Sequence, residues 1–271
     1  MHDVLVHAVG YRERDPTVAY AARIAASLRA SLTAVYVPPA MPAAPDYDMA
    51  SVVTEYADWV ARETSEAVAA APEFEAWATS LGVPHARWVV ADGPVAAVLR
   101  HAGRWNDLLA IGGGGKDAWE SEAGVAELVL ATATPCLVVP RVAADGELPH
   151  ACIAVAWNGS AQAISALHAS LPLLRFAGRV VILSGKASVP AAGGVPFDLD
   201  GWAARHDLRI EYLMLDDCRD IGATLLDAAA EVSADMLVAG AYGRSRLAEW
   251  ALGGVTRHLI RHSTIPLLLC H

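Results

Sequence analysis

The stretch GAYGRSRLAEWALGGVT, residues 240–256, decides how this chain is read. It follows the apolar run Asp235-Met-Leu-Val-Ala239, which predicts a buried strand. Gly240 and Gly243 come next, and nine residues separate Gly243 from the pair Gly253 and Gly254. The segment VTRHLIRH, 255–262, then predicts a helix. A strand, a glycine turn and a glycine pair opening a helix form a recipe for holding phosphate. Glycines let backbone N–H groups approach an anion, and a helix N-terminus leaves its first N–H groups unpaired. A lone GxxG is explained by tight turns; the second pair at the helix start favours phosphate.

The order of elements around this stretch occurs twice in the chain. Residues 3–9 predict a strand, 15–30 an amphipathic helix and 31–37 a second strand. After a Pro-rich loop, 38–45, come a long helix over about 51–71, a strand at 86–91 and a helix opened by Pro94. A strand at 107–111 ends in Gly112-Gly-Gly-Gly115, and a helix near 125–133 with a strand at 135–140 closes the half. The second half runs strand 151–157, helix to about 174, strand 179–184, short helix 198–205 and strand 210–215. It ends with helix 220–232, strand 236–239, the helix over 255–262 and strand 265–270. Alternating strands and helices imply parallel pairing with helices on both faces. The polar segment 142–149 reads as a linker between domains at 1–143 and 150–271.

Composition narrows the function classes. A net charge of −10 with no offsetting basic stripe argues against nucleic acid as a partner. No uncharged apolar run has the length to span a bilayer, and the N-terminus has no signal-peptide pattern, so a soluble protein is expected. Cys136, Cys152, Cys218 and Cys270 form no CxxC and fit a reduced, cytoplasmic compartment.

Two tempting motifs fail. Gly112-Gly-Gly-Gly115-Lys116 resembles the end of a P-loop, but Ala110 stands where its first glycine belongs and Asp117 where the magnesium-holding hydroxyl belongs. No full GxGxxG is present at either glycine turn.

The pattern Gly240-xx-Gly243-x9-Gly253, after a strand and before a helix, resembles the ATP-binding signature of universal stress proteins. The element order resembles that family's fold, and the duplication its tandem members. The resemblance implies an α/β fold of two Rossmann-like domains of the adenine nucleotide alpha hydrolase-like kind, each with a five-stranded parallel sheet flanked by helices. It implies that Ala239, Gly240, Gly243, Arg244, Gly253, Gly254 and Val255 surround the phosphates of ATP or another adenine nucleotide. Leu183 and Ser184 would border the base. Asn158 stands where the family has an Asp that touches ribose or base; Asn still hydrogen-bonds a hydroxyl, without charge. The family motif ends Gly-Ser/Thr, and Gly254 stands at the hydroxyl position, so Thr256 is the candidate replacement. The resemblance also implies that the last strands of the two halves pair across a pseudo-twofold, as an intramolecular pseudodimer, with homodimers of the chain as a further step.

The first half departs further. Eight residues, not nine, separate Gly115 from Gly124, Val125 follows where a hydroxyl residue is expected, and Asp117, Glu120 and Glu122 would repel phosphate. It reads as a non-binding partner of the second half. His258 and His262, one turn apart, read as surface histidines rather than a metal site. The acidic run 216–220 reads as helix-terminal charge, with magnesium beside ATP as its other reading. No catalytic constellation is identifiable. The expected function is regulatory nucleotide binding in a stress response; the alternatives are a slow ATPase or phosphotransferase, and a scaffold or small-molecule sensor that has lost ATP.

Overall fold

A computed structural model describes residues 1–12, 15–39, 49–113, 121–132, 134–140, 151–185, 198–216, 220–241 and 254–271. The first half runs β1 (Asp3–Ala8), α1 (Pro16–Leu28), β2 (Ser31–Tyr36), α2 (Met49–Ala69), α3 (Ala71–Ser80), β3 (Ala86–Val90), α4 (Val95–Gly103), β4 (Leu108–Gly113), α5 (Glu122–Thr132) and β5 (Cys136–Pro140). The second runs β6 (Cys152–Trp157), α6 (Ala161–Leu174), β7 (Arg179–Gly185), α7 (Leu199–Arg205), β8 (Ile210–Leu215), α8 (Ile221–Glu231), β9 (Met236–Gly240), α9 (Gly254–His262) and β10 (Leu267–Cys270). The linker expected at 142–149 lies outside the described residues.

Helix starts follow local chemistry. Asp15, Ser160, Asp198 and Asp220 each cap a helix, their side-chain oxygens accepting from Thr17, Ala163, Gly201 and Ala223 N–H. Two expectations need correction. The helix expected over 51–71 is followed at once by a second, α3, because Pro72 sits in the first turn, where its missing N–H costs nothing. Pro94 is the residue before α4, with ψ 127, and not part of its first turn.

The strands form one ten-stranded sheet in the order β3-β2-β1-β4-β5-β10-β9-β6-β7-β8. All neighbours are parallel except β5 and β10, which pair antiparallel through Leu267↔Val138, Leu268↔Leu137 and Leu269↔Cys136. Alternate residues face opposite layers: Val4 and Val6 pack with α1, Leu5 with α4 and α5. In the second half Ile153 and Val155 pack with α6 on the α1 side, and Ala154 with α8 and α9 on the other. Strand order is therefore mirrored about the β5–β10 seam and direction reversed, while each face keeps its layer. This is a pseudo-twofold normal to the sheet. It places the carboxyl ends of the two sets of strands at opposite rims.

Candidate functional site

Each half has a switch point where the chain leaves one side of its first strand and returns on the other. At such points the carboxyl ends diverge and a ligand crevice opens. β6 and β7 stay paired to Trp157↔Ser184, whereas β6 and β9 are paired only from Ile153↔Met236 to Val155↔Val238. Ala156 and Trp157 thus separate from Ala239 and Gly240. In the first half β1 and β4 part after Val6↔Ala110.

Several of the residues expected at the second-half site lie in the described elements β6, β7, β9 and α9 or directly after them. Asn158 follows β6; its Oδ1 accepts from Ser160 N–H at 3.0 Å, which leaves its amide N–H groups as donors for a ligand. The turn passes through Gly159 at φ +70, a left-handed conformation that suits glycine. Ser160 Oγ accepts from Ala163 N–H at 3.2 Å, so one free donor at the start of α6 is already satisfied. Leu183 and Ser184 lie at the carboxyl end of β7, both buried, and Ala239 is buried in β9, on the other side of β6. Gly254 is the first residue of α9, and a Cβ placed there would meet nothing within 4 Å among the described residues. The first turn of α9 carries no acidic residue, so no carboxylate of its own competes for the helix N-terminus. Val255 is half-buried, and Thr256 is buried within the same turn. Gly243, Arg244 and Gly253 lie outside the described residues.

Gly240 has a role that its motif position does not suggest. A Cβ there would stand 2.6 Å from Ala163 N and 2.6 Å from Gln162 C, both backbone atoms of the first turn of α6. The bare backbone lets β9 end directly beneath that helix. Its first-half counterpart, Gly112, lies less tightly against the first turn of α1, where a Cβ would meet the side-chain oxygen Thr17 Oγ1 at 3.1 Å. The first glycine of each turn is thus a packing glycine in both halves. No local signal reveals this, because the partner helix starts far away in sequence.

The first-half crevice has different surroundings. Tyr11, in the loop after β1, packs edge-on against Tyr36 at the end of β2, with ring centroids 5.4 Å apart. Tyr11 Oη donates to Glu66 at 3.0 Å, and Arg12 pairs with Glu66 at 2.7 Å and Glu63 at 3.3 Å, tying this loop to α2. Trp88 stacks on Tyr36 and donates its Nε1–H to Ala67 O at 2.9 Å, fixing α2 over the strands. The helix following the glycine run, α5, starts at Glu122, and Ser121 Oγ accepts from Gly124 N–H at 3.2 Å. A satisfied donor therefore stands at the helix start that corresponds to Gly254. Tyr36 and Trp88 correspond by register to Ser184 and Tyr212. Sequence reading missed this aromatic stack, although the aromatic spacing in β2 and β3 was visible.

His258 and His262 lie on α9 with ring centroids 4.5 Å apart, and His258 Nδ1 is 3.7 Å from Asp220 Oδ2. Asp220 also caps α8, and Gly222 in the first turn of α8 would bring a Cβ within 2.8 Å of His258 Cβ. These contacts lock α8 to α9. Among the described residues no group of three or more His, Cys, Asp or Glu could hold a metal ion, so no magnesium-holding role is derived for them. Burial pushes the Cys136 and Cys270 thiols up to about 12, which keeps them protonated and inert.

The model of the universal stress protein family matches residues 218–271. Among solved structures, a universal stress protein from Archaeoglobus fulgidus DSM 4304 is 16% identical, with a TM-score of 0.66 over 99% of this chain and 95% of its own. A functionally unknown protein from Pseudomonas aeruginosa PAO1 is 10% identical, with a TM-score of 0.58 over 99% of this chain and 92% of its own. No curated protein matches by sequence. Among the described residues no helix is long and apolar enough to cross a membrane.

Proposed function

We propose that this chain, which carries a universal stress protein domain at residues 218–271 and shares that family's α/β fold along its length, binds ATP or a related adenine nucleotide in its second-half crevice and acts as a cytoplasmic regulatory binding protein. The observation that carries the proposal is the asymmetry of the two switch points. The second-half helix starts on Gly254, where a Cβ would meet nothing within 4 Å among the described residues, with no acid in its first turn. The first-half helix starts on Glu122 and is capped by Ser121.

In this reading the phosphates lie against the backbone N–H groups at the start of α9, with Gly240, Gly243, Arg244 and Gly253 lining the turn. Asn158 amide N–H groups meet the ribose, and Leu183 and Ser184 border the base. Bound nucleotide fixes the start of α9 and so alters the surface that α8 and α9 present to a partner. Residues 1–143 form the non-binding domain and 150–271 the binding one. ATP supplies a polyphosphate, and the chain's own residues bind and orient it.

The test is calorimetric titration with ATP and AMP, together with analysis of any nucleotide retained through purification. One site per chain is expected, with ATP tighter than AMP because more phosphate oxygens meet α9. No heat and no thermal shift with either nucleotide would overturn the reading and leave a scaffold that has lost the ligand.

A further inference from the structure

The two halves also differ where their last strands run beside the glycine turns. In the first half β5 pairs Val139 with Gly112 and Pro140 with Gly113. In the second half β10 pairs Cys270 with Gly240, and His271 and Ala241 follow. Gly112 and Gly240 are counterparts, so Gly113 corresponds to Ala241 and Pro140 to His271. The second half therefore carries an imidazole where the first half carries a proline, a residue with neither a side-chain donor nor an N–H.

That imidazole is engaged at the exit of β9. Ala241, the residue after β9, is fully buried, and its N–H donates to Cys270 O at 2.6 Å. Its carbonyl oxygen lies 3.3 Å from His271 Nδ1. A carbonyl oxygen can only accept, so Nδ1 carries a proton and donates it. Cys270 and His271 thus hold both backbone groups of Ala241 between them. Leu267 and Leu269 pack in the layer of α9 and Cys270 in that of α6, so alternation brings His271 to the α9 side. On the α6 side the same exit is confined at Gly240, whose Cβ position is 2.6 Å from Ala163 N. The path of the chain out of β9 is therefore fixed from both layers.

We propose that His271 is a positioning residue for the nucleotide site: by donating Nδ1–H to Ala241 O it sets where the chain leaves β9 on its way to the start of α9. The inference rests on the nucleotide reading above and adds to it a residue outside the glycine pattern. The imidazole acts through Ala241 rather than on the ligand. Its effect falls on the phosphates, because the residues expected at ribose and base, Asn158, Leu183 and Ser184, lie on or directly after β6 and β7.

Three variants of the full chain test this. The amide N–H group of asparagine reaches the place of Nδ1, whereas that of glutamine reaches the place of Nε2. His271→Ala and His271→Gln therefore remove the bond, and His271→Asn keeps it. In titrations, the Ala and Gln variants are expected to bind ATP about threefold to tenfold more weakly than the wild type, the worth of one neutral hydrogen bond, with adenosine affinity unchanged. The Asn variant is expected to match the wild type. Hydrogen exchange of the nucleotide-free chain reads the anchor by itself: residues 236–241 should exchange faster in the Ala and Gln variants than in the Asn variant and the wild type. Ala and Gln variants that bind ATP as the wild type does, that weaken ATP and adenosine alike, or that the Asn variant does not improve on overturn the proposal. A wild type that binds neither ATP nor adenosine overturns the nucleotide reading and His271's role in it, and equal exchange in all four chains overturns the anchor itself.

Discussion

Adding one methyl group at Gly240 probes the packing on which the crevice is built. In Gly240→Ala the new Cβ would sit 2.6 Å from Ala163 N and Gln162 C. Ordinary contact needs about 3.5 Å, so β9 and α6 must part by nearly an ångström. The obstacle is backbone, which cannot rotate away as a side chain can. Overpacking of this kind costs about 1–3 kcal/mol, and for a chain of this size each kcal/mol lowers the melting temperature by about 2–4 °C. The expected fall is therefore about 2–12 °C. Two controls rank the effect. Gly112→Ala meets only Thr17 Oγ1 at 3.1 Å, a side-chain atom that can move, so its loss is smaller. Gly254→Ala meets nothing within 4 Å among the described residues, and in a helix start it is neutral or stabilising by about 0.4–1 kcal/mol. Thermal melts followed by far-ultraviolet circular dichroism give the order. A Gly240→Ala variant that melts with the wild type, or below which Gly112→Ala falls, would refute the close approach of β9 to α6. The same geometry means that a larger side chain at Gly240 disturbs folding before it reports on a ligand.

Two further outcomes follow from the packing and the thiols. Gly222→Ala should destabilise the chain by about 1–3 kcal/mol through collision with His258, and His258→Ala in the same chain should recover part of that loss; additive losses in the double-mutant cycle would contradict the α8–α9 contact. With Cys136 and Cys270 raised to about 12 in the folded chain, the native state holds its thiol protons where the unfolded state releases them. Their contribution is complete below the ordinary thiol range and is lost as pH rises towards 12, so alkaline melts should decline over that window. Both thiols should also resist alkylation until the chain unfolds, and fast labelling of native Cys136 would contradict its burial.

Much of the fold was legible in the sequence because its elements announce themselves locally. β8 was placed at its observed bounds by period and flanking polar residues, and the caps Asp15, Ser160, Asp198 and Asp220 stand just before apolar helical patterns. α3 escaped because Pro72 reads as a stop when it lies close behind a helix, although it is equally suited to a start. The site was legible only in part. The glycine pattern marked the start of α9, yet it could not separate Gly240, set by contact with α6, from Gly254, whose Cβ position meets nothing within 4 Å among the described residues. That difference depends on a helix contributed by a distant segment. The tie of Tyr11 and Arg12 to α2 was not visible, because it joins residues far apart in sequence.

The most direct test of nucleotide binding in the second half is an ATP titration of Gly254→Ser beside the wild type. The serine hydroxyl restores the donor that the family motif carries, at a position where a Cβ would meet nothing within 4 Å among the described residues. A hydrogen bond to a charged phosphate contributes about 1.5–3 kcal/mol, so ATP affinity should rise by roughly tenfold to a hundredfold at one site per chain. Unchanged affinity in a folded Gly254→Ser chain, or a stoichiometry that requires the first half, would contradict the account.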